Sequence, residues 1–311
     1  MDNDSNRRAW QDKARQIAHG IRCRVLRLTI ERNGCYLSQA LSSAEILAVL
    51  YTRVLQLGPS IAPAVPPPFS GVPGHAPASY ISGAAYHGLK GPDLDRFIIS
   101  PAHYAAAVYA ALVEVGRMDP EGMAQFNSDG STVEMIGAEH SPGFELTTGS
   151  FGQALSQAGG IAMAKRLRGE SGRVFVLLSD GELEEGQTWE AVQALAFYKL
   201  DNLITCVDVN GQQVDGKTSE VMNIEPISSR LEAFGARVIR VDGHRITELA
   251  DALDQKSGDG RPMFVLAYTN SSQGIPLLDD RKPKLHFVRF KDEVEVRQYT
   301  EWLGRMEAES C

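Results

Sequence analysis

The chain has 311 residues, 43% of them hydrophobic, which suffices for one large α/β domain or at most two smaller ones. A formal charge of -8 leaves no electrostatic footprint for nucleic acid, and no apolar run approaches the length of a bilayer span. The polar N-terminus MDNDSNRRAWQDKARQ lacks the apolar core of a signal peptide, and Cys23, Cys35, Cys206 and Cys311 show no CxxC spacing, so the expectation is a cytoplasmic chain with free thiols.

In chain order, Ile17, Ile21, Val25 and Leu28 recur at helical spacing between Trp10 and Glu31. A second helix fits SSAEILAVLYTRVL, with Ser42 or Ser43 as N-cap and Glu45 in the first turn. The stretch at about 58–79 is too rich in Pro and Gly for a helix or a central strand. It reads as a surface excursion, with a lid or partner-binding loop as the alternative. Asp95 to Ser100 reads as a short buried strand, followed by an Ala-rich helix ending at Gly116. FELTTGSFGQALSQAGGIAMAKRLRG places Gly149 and Gly152 just before or at the start of a helix that closes near Gly169.

From there strands and helices alternate regularly. RVFVLLSD, NLITCVDVN, ARVIRVDG and PMFVLAYTN are strands, and GQTWEAVQALAFYKL, SSRLEAFG and ITELADALDQ are helices. Strands that are apolar throughout and alternate with helices indicate a doubly wound, mostly parallel sheet covered on both faces, in a single domain over residues 1–311. The tail from about Lys291 is polar and helical.

In such a sheet ligands bind at the C-terminal ends of the strands. Asp180 ends one strand and Asn210 ends the next, 30 positions further on. A carboxylate with an amide oxygen suits magnesium, which completes its octahedron with water and phosphate oxygens. Gly181 leaves a backbone N–H for a phosphate oxygen, and the run Gly149, Ser150, Phe151, Gly152 offers more at a helix N-terminus. A metal-bound diphosphate at the sheet edge is the reading these pieces share. Each alone is weak: an Asp-Gly pair after a strand is usually a turn, and a lone Asn at a strand end is usually a turn residue.

At these residues the chain resembles a known family. SDGELEEGQTWEAVQALAFYKLDNLITCVDVNGQQVDG is similar to the thiamine-diphosphate signature of transketolases, which begins GDG and closes on an Asn. The resemblance runs from about Ala14 to Phe290, and its EGQTWEA and LDNLI segments fit transketolase better than the α-chains of 2-oxoacid dehydrogenases. It implies thiamine diphosphate with magnesium, or calcium or manganese in its place. Asp180 and Asn210 would hold the metal by side chains and Gln212 by its carbonyl. Gly181 and the Gly149–Gly152 loop would touch the diphosphate. Glu182 is counted with that group, although by itself it reads, like Glu184, as part of a solvated turn. His103 matches the family's diphosphate-side histidine, His140 falls near one facing the substrate channel, and His286 falls near a late one that closes the site. Glu185 and Glu190 match acids at a subunit interface. For each of these histidines a satisfied structural role is the alternative, and it is the only reading for His19, His75, His87 and His244.

The chain also departs from the family. The histidine of the early SGHPG motif, which faces the donor sugar, falls on Tyr36, so donor or acceptor can differ from pentose phosphates. Ser179 and Ala102 stand where the family has glycine, which is tolerable only if their φ angles are ordinary. Finally, the family's activating glutamate belongs to a separate pyrimidine-binding domain for which the sheet leaves no room. The expectation is therefore the N-terminal subunit of a split, two-component transketolase, transferring a two-carbon ketol unit from a ketose to an aldehyde-type acceptor. It would be active only with a second polypeptide carrying the pyrimidine-binding and C-terminal domains, as an α2β2 assembly. The alternatives are an E1-type subunit of a decarboxylating, 2-oxoacid-dependent enzyme, and a non-catalytic binding subunit that retains the fold.

Overall fold

Helix α1 (Asp2–Arg32) buries Ile17, Ile21, Val25 and Leu28 along one face, the spacing that predicted it. The computed structural model describes residues 2–69, 81–214, 216–256 and 258–309, with the backbone alone for 2–7. His75, Cys311 and residues 70–79 of the Pro-rich stretch lie outside the described residues. The part at 58–69 has no regular secondary structure.

Helix α2 (Leu37–Val49) is buried along its whole length and ends in a π-helical turn to Val54. Its start corrects the expectation. Ser42 and Ser43 lie inside the helix, and Tyr36 occupies the N-cap without a side-chain cap bond. Ser43 Oγ donates back to the Gln39 carbonyl at 2.6 Å, while Ser42 Oγ donates across the fold to Asp208 Oδ2 at 2.6 Å. A tertiary acceptor has replaced the helix end as the partner of that serine.

The remaining elements are β1 (Arg96–Ile99), α3 (Ala105–Glu114), a short α4 (Pro120–Met123), α5 (Ala154–Leu167), β2 (Val174–Ser179), α6 (Gly186–Phe197) and β3 (Leu203–Val209). A small hairpin of β4 (Gln212–Gln213) and β5 (Gly216–Lys217) follows, then α7 (Thr218–Val221), α8 (Ile227–Ala233), β6 (Arg237–Asp242), α9 (Ile246–Leu253), β7 (Met263–Tyr268) and α10 (Glu293–Ala308). The hairpin and α4 carry no periodicity in the sequence, being too short to show one.

One parallel sheet has the strand order β1-β2-β3-β7-β6. Alternating side chains divide its two faces. Phe175, Leu177, Ile204, Cys206, Met263 and Val265 pack into the core shared with α1, α2, α3, α9 and α10. Val174, Val176, Leu178, Leu203, Val207 and Phe264 pack against α5, α6 and α8. Both faces are covered, as the continuous apolar strands require. The exception is β6, an edge strand that is only half-buried. Among the described residues no helix is long and apolar enough to cross a membrane.

An isolated antiparallel bridge joins the start of the chain to its late segment. Cys35 N–H donates to the Val288 carbonyl at 3.1 Å, and Val288 N–H returns a bond to Cys35 at 2.9 Å. The bridge sets Tyr36 beside His286 at the sheet's C-terminal edge.

Candidate active site

β1 to β3 and β7 all end at one edge, which delivers His103, Asp180, Asn210 and Ser271 to a common region by way of the residues that follow each strand. A cavity of about 270 Å³ opens there, lined by Tyr36, Gln39, His103, Phe151, Asn210 and His286 among others.

Beneath it lie two carboxylates. Asp180, 2% exposed, accepts from Gly211 N–H at 2.8 Å and Thr218 Oγ1 at 3.1 Å, and from Gly181 N–H at 3.1 Å. Burial, with the neighbouring charge of Asp208, pushes its pKa up to about 7. Asp208, at 0% exposure in β3, accepts from Ser42 Oγ, from Tyr104 Oη at 2.7 Å, from Thr269 Oγ1 and from Asn210 Nδ2 at 3.2 Å. Burial raises its pKa as well, against the pull of those donors. Among the described residues neither carboxylate has a Lys, Arg or His partner. Two buried anions without a cation leave a site short of positive charge.

Three rings form one wall of the cavity. Tyr36 lies 5.2 Å from His103 and 5.1 Å from His286, centroid to centroid, and the two imidazoles are 5.1 Å apart. Burial, reinforced by His286, lowers the His103 pKa to about 3, so this imidazole is neutral at physiological pH. Burial also raises the Tyr36 hydroxyl, with a smaller contribution from Cys35. Gln39 donates from Nε2 to the His286 carbonyl at 3.2 Å, and its Oε1 is buried with no partner among the described residues.

The glycine loop precedes α5, whose N-terminus has no side-chain cap. Gly149 and Phe151 line the cavity, and a Cβ at Gly149 would meet nothing within 4 Å. Gly152 has φ +85°, a left-handed conformation that a side chain rarely adopts. Its N–H is already engaged by Glu182 Oε1 at 3.3 Å. Glu182 is no solvated turn residue: it is 0% exposed, also accepts from Ser100 Oγ, and burial pushes its pKa up to about 7. It braces the loop from below. Glu184 is half-buried, with an oxygen accepting from Gln213 Nε2 at 2.9 Å. The two sites where the family has glycine are unstrained. Ser179 has φ −108°, and Ala102 is not among the residues with positive φ.

The structure thus brings Tyr36, His103, His286, Asn210, Gln212, Gly149 and Phe151 to one cavity, with Asp180 and Gly181 below it. Other candidates stand apart. Ser150, Glu185 and Glu190 are exposed. His140 is not among the lining residues; it contacts Glu134 Oε2 at 2.9 Å and stacks on Phe69 at 4.5 Å. His87 is a buried partner of Glu145 at 3.1 Å, His244 contacts Glu45 at 2.9 Å, and His19 contacts the Met306 carbonyl at 2.8 Å. These are the structural roles expected of them. Asp208, Tyr104 and Gln39 escaped the sequence reading. For Asp208 a signal existed: a lone acid inside the apolar strand LITCVDV is costly unless it serves something.

The thiamine diphosphate binding domain of transketolase matches residues 88–310. The chain belongs to the transketolase family. An uncharacterised transketolase family protein of Sinorhizobium fredii is 35% identical over 294 residues, 94% of each chain. One of the named subunits of the apulose-4-phosphate transketolase of Actinobacillus succinogenes is 32% identical, over 92% of this chain and 94% of its own. Among solved structures, the Campylobacter jejuni transketolase superposes with a TM-score of 0.69 at 21% identity, over 97% of this chain and 47% of that one. The chain therefore spans about half the length of that transketolase.

The transketolase edge suits a metal diphosphate by the chemistry of its donors. Among the described residues the buried Asp180 has no Lys, Arg or His partner and Gln212 Oε1 is buried without a hydrogen-bond partner, while Asn210 lines the cavity. No cluster of three His, Cys, Asp or Glu that could hold a metal occurs among the described residues. One carboxylate with amide and carbonyl oxygens is a donor set for magnesium and a poor one for zinc.

Proposed function

We propose that the chain is the diphosphate-binding subunit of a two-chain transketolase that moves a two-carbon ketol unit from a ketose to an aldehyde-type acceptor. The observation that carries the reading is the Asp180–Asn210 edge, where adjacent strands lead to an amide and a buried carboxylate that has no Lys, Arg or His partner among the described residues. The two-chain form is supported by relatives whose names make them subunits. The apulose-4-phosphate transketolase subunit is covered over 94% of its length, and a 6-deoxy-6-sulfo-D-fructose transketolase subunit of Clostridium, 30% identical, over 83%.

In this reading Asp180 and Asn210, with the Gln212 carbonyl, would hold magnesium, and the Gly149–Phe151 backbone would meet the diphosphate. Bound thiamine diphosphate supplies the carbon nucleophile that carries the two-carbon unit. The chain's own part is to position and to select. Neutral His103 can accept or donate a hydrogen bond at the cavity wall without adding charge. Tyr36 and His286 narrow the entrance beside it. Among the described residues no Lys or Arg lines the cavity, so these walls suit the hydroxylated, uncharged part of a ketose. A phosphate or sulfonate end would be bound elsewhere. Exposed Glu185 and Glu190 would face the partner.

The test is reconstitution. The chain is purified with a second polypeptide bearing a pyrimidine-binding domain and assayed with thiamine diphosphate, magnesium and a panel of ketose donors and aldehyde acceptors. Ketol transfer is expected. Turnover of 2-oxoacids in its place, or no cofactor binding by the complex, would reject the reading.

A further inference from the structure

Asn210 can serve a cation only if its amide oxygen, and not its nitrogen, faces the cavity. The amide is planar, so one partner on the nitrogen side decides the matter. Nδ2 donates to Asp208 Oδ2 at 3.2 Å and to Tyr104 Oη at 3.2 Å, while Oδ1 accepts from Gln212 N–H at 2.9 Å. A carboxylate accepts and does not donate. Rotating the amide by half a turn would set its oxygen against a carboxylate oxygen and its nitrogen against an N–H.

Asp208 is itself held on several sides. Ser42 from α2, Tyr104 from the turn after β1 and Thr269 from the end of β7 all donate to it, and it is fully buried. Three separate elements converge on one acid whose remaining contact is the Asn210 amide. Such an assembly has no use in the packing of an apolar strand, where Leu or Val would fill the place at lower cost.

We infer that Asp208 is a positioning residue: as a hydrogen-bond acceptor it fixes the Asn210 amide with its oxygen toward the cofactor's metal. This rests on the metal-diphosphate reading above. It differs from a purely electrostatic role, in which the second carboxylate would act by its charge. The two separate on substitution. In Asp208→Asn the new Oδ1 can accept from Ser42, Tyr104 and Asn210 while its Nδ2 donates to Thr269 Oγ1, so orientation survives and charge is lost. In Asp208→Ala both are lost.

The probe is Mn2+ with saturating thiamine diphosphate, titrated by calorimetry and by the Mn2+ electron-spin resonance signal. The protein is the full chain with its second polypeptide. Asp208→Ala is expected to bind Mn2+ about 10–100-fold more weakly, the usual effect of losing a ligand's outer partner, and Asp208→Asn within about threefold of wild type. Circular dichroism checks the fold, and Asp208→Ser replaces the alanine variant if that does not fold. A folded Asp208→Ala with wild-type affinity would overturn the inference. So would an Asp208→Asn as weak as the alanine variant, because charge would then be the cause. Failure of the wild-type complex to bind Mn2+ with the cofactor would strike the underlying reading instead.

Discussion

At the residue scale the site is organised by what burial does to charge. Asp180 and Asp208 have no Lys, Arg or His partner among the described residues, and burial raises the pKa of both, with the Asp208 charge adding to it at Asp180. Asp180→Ala is therefore expected to abolish magnesium-dependent thiamine diphosphate binding, a loss greater than the roughly 10–100-fold that an outer partner is worth. The melting temperature without cofactor should stay level or rise, because a desolvated charge has gone. Calorimetry and thermal denaturation check the two halves; retained affinity would refute the metal assignment. Tyr36 belongs to the other wall, packed on His103 and His286 and away from the carboxylates. Tyr36→His should change relative kcat/KM among donor ketoses while leaving the cofactor dissociation constant nearly unchanged. Steady-state kinetics on a donor panel tests this, and an unaltered preference would count against it. Asp180, Asn210 and Tyr36 were legible because a strand end or a family motif marks each place. Glu182 was misread as solvated, since nothing local in DGELEEG shows that the chain folds its side chain beneath the glycine loop.

At the scale of elements, α2 is the clearest case of tertiary contacts overriding local signals. Its sequence offers Ser42, Ser43 and Glu45 as a cap and first turn, yet all three lie inside the helix. Glu45 takes Arg22 Nη1 from α1 at 2.7 Å, and one of its oxygens contacts His244 Nδ1, before α9, at 2.9 Å. Burial pushes the Glu45 pKa up, but the His244 hydrogen bond and the Arg22 charge together hold it below the ordinary value of 4.5. This carboxylate thus ties α1, α2 and the turn before α9 together on one face of the sheet. Glu45→Ala leaves Arg22 buried and unpaired, and an expected cost of about 3–5 kcal/mol follows from breaking one side of such a pair. A carboxylate with a lowered folded pKa stabilises fully above its unfolded value. The gap between wild type and variant in urea unfolding should therefore be complete at neutral pH and shrink as pH falls below 4.5. A gap independent of pH would show that packing, not charge, supplies it. The long helices and the interior strands were readable because their periodicity spans many residues. The hairpin after β3 and the π-helical form of the turn after α2 were not, because each is too short to repeat a pattern.

At the scale of the molecule, the doubly wound sheet explains why a cavity forms at this edge. The cavity offers neutral rings, amides and backbone, and among the described residues none of its lining side chains is a carboxylate that could serve as a base. Its rim exposes Ile136 (45%) and Val214 (55%), and at the opposite edge of the sheet, where α5 and α6 end ahead of β2 and β3, Leu167 (81%) and Phe197 (76%) are exposed beside Tyr198. Large apolar side chains left in water on adjoining helices are a cost that a covering chain would remove. On the two-chain reading proposed above, a second polypeptide would be that cover. The isolated chain is expected to show no ketol transfer above background with thiamine diphosphate and magnesium, and to sediment as a concentration-dependent mixture of species. Adding the second polypeptide should restore turnover and collapse the mixture to one heteromeric species. Leu167→Glu with Phe197→Glu should make the lone chain monodisperse without altering its circular dichroism, since both side chains are already outside the core. Sedimentation velocity and an activity assay, with mass spectrometry excluding a co-purified chain, decide the matter: robust turnover by this chain alone would overturn the two-chain reading.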